Sequence, residues 1–209
     1  MRRLNLRPIH SDIASWHRRL SPLTDQLIIS GDLNEDPTLA KVQLTEWQQA
    51  GITHILDTRE EWTDEAFVAE HTPDITYGWF GTHDNGTPQP DQWFTDGLAF
   101  ALEALATPNA VLLVHCHMGI NRGPSMAYRI LLELGWNPDD AFDAIRAARP
   151  IANMRYQKDA TNHHNRSNDR QRSAHSRHEE PRANSSVGSP GCPQTDDACT
   201  RHRARAADE

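Results

Sequence analysis

VHCHMGINRGPS, residues 114–125, wedges Cys116 between His115 and His117 and sets Gly119, Arg122 and Gly123 behind it. The apolar run AVLLV (110–114) precedes this stretch, and the helical pattern MAYRILLELGW (126–136) follows it. Buried strand, glycine-bearing loop and helix start thus come in one contiguous segment. A thiol held at such a junction is either a packed small residue or a nucleophile, and its surroundings favour the second. Successive N–H groups of a loop wrapped at a helix N-terminus converge on one centre, and the helix dipole adds to the attraction for an anion. Pro124 suits the first helical turn, where its missing N–H costs nothing. Arg122 is a cation at the end of a helix where cations are disfavoured, so an anion between it and the loop explains its place. Its planar fork can contact two phosphate oxygens at once. The same positive field favours the thiolate form of a cysteine. Cys-x5-Arg spacing alone is weak evidence, since Cys199 and Arg205 repeat it in a stretch whose polar composition predicts neither strand nor helix.

Working outward, QLIIS (26–30), ITHILD (52–57), ITYGWF (75–80) and AVLLVHC (110–116) read as strands, being short and rich in apolar and β-branched residues. PTLAKVQLTEWQQAG (37–51) has helical spacing with Leu39, Val42, Leu44 and Trp47 on one face. TDEAFVAEH (63–71), PDQWFTDGLAFALEALA (90–106) and GPSMAYRILLELG (123–135) are also helical, and Asn137-Pro138-Asp139-Asp140 opens another helix. HDNGTPQP (83–90) is a loop by composition. Strands alternating with helices predict an α/β fold, a central and mostly parallel sheet flanked by helices.

The chain has 209 residues with a formal net charge of −8. Residues 1–160 hold 13 Lys and Arg against 22 Asp and Glu, whereas 161–209 hold 8 against 7. An acidic domain is a poor partner for nucleic acid, where neutralising phosphates dominates affinity. The segment from Thr161 onward contains no Leu, Ile, Met, Phe, Trp or Tyr. On that composition it cannot offset the entropy of ordering, so the expectation is one folded domain over residues 1–160 and a disordered tail over 161–209. No run of 18 apolar residues suggests a membrane span. The early arginines are followed by no apolar core of a secretory signal. Cys116 is the one cysteine of residues 1–160, which excludes a disulfide framework there and makes a cytoplasmic setting the default. His163 and His164 are adjacent, but in a disordered tail they are not expected to hold a metal.

HCHMGINRGPS resembles the phosphate-binding signature of cysteine-dependent protein phosphatases, His-Cys-x-x-Gly-x-x-Arg-(Ser/Thr), and the chain's size resembles the compact dual-specificity branch. The likeness extends from about Asp25 to Asp159: DQLIISGDL resembles the family's opening strand, GITHILDTREEW its next strand and turn, and RPIANMRYQ the segment where its last core helix begins. The resemblance implies that Cys116 attacks phosphorus and that Arg122 clamps the phosphoryl group. His117, Met118, Gly119, Ile120, Asn121 and Arg122 then cradle it through backbone N–H groups, with no metal and no cofactor. His115 and Ser125 would support the loop. The general acid of the family lies about thirty residues before the cysteine; Asp84, 32 residues upstream, fits that place, with Asp91 and Asp96 as alternatives. Gly123 stands where the family carries Ser or Thr, and the last helix looks curtailed by the polar tail.

The expected substrate is a phosphorylated protein, carrying phosphotyrosine and, by extension, phosphoserine or phosphothreonine. Two alternatives remain beside it. One is a phosphatase of phosphoinositides or RNA 5′ ends, which the lack of Lys or Arg between Cys116 and Arg122 disfavours; the other is a phosphate-reading module without turnover.

Overall fold

The computed structural model describes residues 13–178. A 3₁₀ turn, Ile13–Arg18, leads into β1 (Ser21–Pro22) and β2 (Leu27–Ser30). There follow α1 (Pro37–Gln49), β3 (His54–Arg59), α2 (Glu65–His71), β4 (Thr76–Thr82), α3 (Asp91–Ala106) and β5 (Leu112–His115). Three helices close the order: α4 (Arg122–Glu133), α5 (Pro138–Ala148) and α6 (Gln157–His178). The strands form one sheet in the order β1-β2-β5-β3-β4. Only β1 is antiparallel to its neighbour; β2, β5, β3 and β4 run parallel. The predicted α/β architecture is therefore the one observed, and among the described residues no helix is long and apolar enough to cross a membrane.

Side chains of a strand alternate between faces, and the two cores follow that alternation. Leu27, Ile29, Leu56, Leu112 and Val114 point to the face covered by α3, α4, α5 and the start of α6. Ile28, Ile55 and Leu113 point to the opposite face, under α1 and α2. Central β5, covered on both sides, ends just before the cysteine, so the loop after it rests on a fully buried strand of the sheet. α4 leaves that loop with every residue from Arg122 to Leu132 buried.

Two sequence expectations are corrected. Leu39 and Val42 are exposed, at 50% and 54% of their surface, and α1 instead buries Ala40, Gln43, Leu44 and Trp47. Gln43 can sit inside because its amide bonds backbone on both sides: Nε2 donates to the Asp32 carbonyl (2.9 Å) and Oε1 accepts from Asn34 N–H (3.0 Å).

The closing helix is likewise not curtailed, as α6 runs past residue 160 to His178. Polar contacts dock it where apolar ones are missing. His163 Nδ1 accepts from the buried Arg129 Nε (2.9 Å), its Nε2 meets Thr95 Oγ1 (3.0 Å), and Arg166 pairs with Asp91. His163 is thereby part of the α3–α4–α6 packing. Residues 179–209 of the expected tail lie outside the described residues.

Candidate active site

The loop 116–121 is fixed from outside. The carbonyl of His117 accepts from Asp32 N–H (3.1 Å), and those of Met118 and Gly119 accept from the Arg149 guanidinium (2.8 and 2.6 Å). The Ile120 carbonyl accepts from the N–H groups of Asn153 (2.9 Å) and Met154 (3.2 Å). In a trans peptide the C=O and the following N–H point in opposite directions. Four carbonyls turned outward therefore aim the N–H groups of Met118, Gly119, Ile120 and Asn121 at the loop's centre. Gly119 has φ +62°, and a Cβ there would lie 2.5 Å from Arg149 Nη2 and 2.6 Å from the Ser30 carbonyl; only glycine allows this approach. Asn121, before the first turn of α4, makes no side-chain cap bond, which leaves the helix's N-terminal amides available to a ligand.

Cys116 stands at the base of this loop, 2% exposed, as a free thiol. Arg122 is equally buried. Its Nη1 and Nη2 grip the two carboxylate oxygens of Glu61 (2.7 and 2.8 Å), and Nη1 also donates to the Thr82 carbonyl (3.0 Å). Its Nε is buried without a hydrogen-bond partner and lies 3.5 Å from Asp84 Oδ2. One edge of the guanidinium is thus held by protein, and an orphaned donor is left on the other edge. A buried N–H without a partner is costly, and an anion in the loop would satisfy it. Burial works to lower the Arg122 pKa, but the bonds to Glu61 and the negative charges of Cys116 and Asp84 overcome it and hold the group above the usual arginine value. Burial likewise opposes ionisation of Glu61, while its bond to Arg122 outweighs this and holds the carboxyl below the usual range.

Asp84 is brought to the loop: beside the Arg122 contact, its Oδ1 accepts from Tyr156 OH (2.8 Å) and Asn121 Nδ2 (3.4 Å). The two alternatives are not. Asp91 faces Arg166 on α6, and Asp96 accepts from Gln92 within α3. His115 lies beneath the loop with its ring against Trp47 (centroids 6.0 Å apart) and Nδ1 3.8 Å from Asp57 Oδ1. Burial pushes its pKa down against the pull of Asp57. The His117 side chain, beyond the backbone role expected of this residue, is tied by Nδ1 to Asp32 Oδ2 (2.6 Å) and packs edge-on to Trp62. Ser125 is buried, its Oγ accepting from Tyr156 N–H (3.3 Å). Gly123 sits in the first turn of α4 against β5.

Glu61, Tyr156 and Arg149 were not singled out from sequence. Each is separated from its partner by 30 residues or more. A bare Glu, Tyr or Arg in those stretches carries no local pattern that announces it.

The family described as "Dual specificity phosphatase, catalytic domain" matches residues 37–166. Among solved structures, PTPMT1 in complex with PI(5)P aligns with a TM-score of 0.57 at 16% identity, over 73% of this chain and 98% of that one. Human DUSP28 gives 0.58 at 15% identity over 71% and 95%. A mouse putative dual specificity phosphatase complexed with zinc tungstate gives 0.59 at 16% over 74% and 91%. At these identities the structures speak for the fold alone.

Proposed function

Because this chain belongs to the dual-specificity phosphatase catalytic-domain family, and is on that ground a phosphatase of the cysteine type, we propose that it hydrolyses phosphotyrosine in proteins, and phosphoserine or phosphothreonine where they reach the loop. The observation that carries the site assignment is the orphaned Arg122 Nε facing Asp84 Oδ2 across the mouth of the loop. It supports a reading in which a cation for the phosphoryl oxygens and an acid for the leaving oxygen stand side by side.

In the proposed reaction the Cys116 thiolate attacks phosphorus while the P–O bond to the substrate breaks. Asp84 gives its proton to the departing oxygen. The loop N–H groups and Arg122 bind the three equatorial oxygens. Water then attacks the cysteinyl-phosphate, Asp84 takes the proton, and the P–S bond breaks to release phosphate and the thiolate. Fixing Arg122 through Glu61 supports the first step, since a clamp already oriented costs nothing at the moment of reaction.

The rim supports a protein substrate over a polyphosphorylated one. Two grooves flank the Glu60–Trp62 turn, one lined by Trp62, Phe67, Glu35 and Asp64, the other by Trp79, Trp93, Glu60 and Asp96. Carboxylates and the half-exposed Trp62 and Trp79 suit a peptide with apolar or basic side chains; the carboxylates repel additional phosphates. The test is turnover of p-nitrophenyl phosphate in the presence of EDTA, then a panel of phosphotyrosine and phosphoserine peptides, phosphoinositides and 5′-triphosphorylated RNA. Turnover lost in Cys116→Ser and highest kcat/KM on phosphopeptides is expected. Activity retained in Cys116→Ser refutes the mechanism, and a lipid or RNA preferred over every peptide refutes the substrate class.

A further inference from the structure

Tyr156 is almost fully buried at the link between α5 and α6, and its hydroxyl reaches the loop between β4 and α3. It donates to Asp84 Oδ1 (2.8 Å) and accepts from Gly86 N–H (3.1 Å), so it binds the carboxyl and the backbone two residues beyond it. Asn121 Nδ2 adds a longer contact to the same oxygen (3.4 Å). Farther along that loop Gln89 N–H donates to Asp159 Oδ2 on α6 (3.1 Å). Both contacts tie the acid-bearing loop to the chain around the start of α6. The Tyr156 position is itself held, because its N–H donates to the buried Ser125 Oγ of α4.

We propose that Tyr156 is a positioning residue that selects which oxygen of Asp84 carries the transferable proton; this rests on Asp84 being the general acid. A neutral carboxyl has one protonated oxygen and one that can only accept. Tyr156 OH and Asn121 Nδ2 both donate to Oδ1, so Oδ1 is the accepting oxygen and the proton resides on Oδ2. Oδ2 is the oxygen beside Arg122 Nε, where the phosphoryl group's leaving oxygen would lie. Without the phenol the carboxyl can rotate about its Cβ–Cγ bond and present the wrong oxygen. Desolvation and the Asp84 carboxylate both push the Tyr156 pKa up, which keeps the phenol protonated and donating across the working range.

The experiment compares kcat on phenyl phosphate, a poor leaving group, with kcat on p-nitrophenyl phosphate, a good one. It uses wild type, Tyr156→Phe, Asp84→Asn and the double variant, with thermal melts as a folding control. Loss of a positioned acid is felt where protonation matters. Tyr156→Phe should therefore lose about tenfold or more on the phenyl ester and roughly threefold or less on the nitrophenyl ester, within the 10²–10⁴ that general acid catalysis supplies. In the Asp84→Asn background the same change should cost nothing further. If Tyr156→Phe melts early, Asn121→Ala repeats the comparison with a smaller selective loss. Equal losses on both esters for whichever variant folds, or a further loss in the Asp84→Asn background, overturn the inference. Should Asp84→Asn itself lose equally on both esters, the general-acid assignment fails and this inference falls with it.

Discussion

Gly123 stands where the family carries a hydroxyl, and the structure sets the terms on which a hydroxyl could be restored. A Cβ at Gly123 would lie 3.1 Å from the His115 carbonyl carbon, 3.2 Å from Cys116 N and 3.3 Å from His115 Cα. All three atoms are backbone at the end of β5, which is hydrogen-bonded on both sides, to β2 and β3. They can give by a few tenths of an ångström at most, and overpacking of this kind costs about 1–3 kcal/mol. Replacing a helical glycine returns up to about 1 kcal/mol. The net loss is then at most about 3 kcal/mol, or roughly 6–12 °C in Tm for a domain of this size, so Gly123→Ser and Gly123→Ala should both fold. The same closeness puts a serine hydroxyl beside Cys116, where it can donate to the sulfur as the P–S bond breaks. One charge-assisted hydrogen bond is worth about 1.5–3 kcal/mol, about ten- to a hundredfold in rate. In the wild type the second step is therefore expected to limit, giving a burst of p-nitrophenol before a slower steady state in stopped-flow assays. Gly123→Ser should shrink the burst and raise the steady rate about tenfold; Gly123→Ala, with the same Cβ and no hydroxyl, should lose the same stability and gain nothing. Ser125 is the reason the effect could be absent, since its buried Oγ lies on the same turn of α4, already accepting from Tyr156 N–H. A wild type without a burst, or Ser and Ala variants that turn over alike, would refute the reasoning.

Glu61→Gln should lower kcat/KM and vanadate affinity together by about tenfold, the low end of a charge-assisted bond because the Glu61 side chain is 39% exposed. Ending the chain at Ala160 removes the partners of Arg129 Nε and Asp91; a melt should show a loss of about 1–3 kcal/mol or more, absent from a chain ending at His178. Burial holds the pKa values of His17, His54, His115, His163 and His164 below the usual 6.5. The unfolded chain then binds more protons below pH 6.5, so stability is full above that pH and falls beneath it, by up to about 1.4 kcal/mol per pH unit for each histidine. Urea midpoints between pH 7.5 and 5 check this, and a flat profile contradicts it.

What the sequence revealed follows from what lies next to what along the chain. Strand, loop and helix around Cys116 are contiguous, and so the proposed anion site could be read from twelve consecutive residues. The sheet was legible for a related reason: β2, β3 and β5 are short apolar runs covered on both faces. Reading failed where a polar group is buried with its bonds made. Gln43 displaces Leu39 and Val42 from the inner face of α1 because two backbone groups satisfy its amide, and no hydropathy pattern contains that information. The start of α6 repeats the lesson, since Ala160 and the His163–Arg129–Thr95 contacts hold a helix that composition alone marks as unable to fold. The site divides along the same line. Its cradle is local, but the direction in which Arg122 and Asp84 face is set by Glu61 and Tyr156, which enter from two other connections. Both pairs are ordinary polar residues whose significance lies in the distance between them in space. A sequence can therefore name the groups proposed for the chemistry while leaving unread those that aim them, and substitutions at Glu61 and Tyr156 should alter rate with the signature still intact.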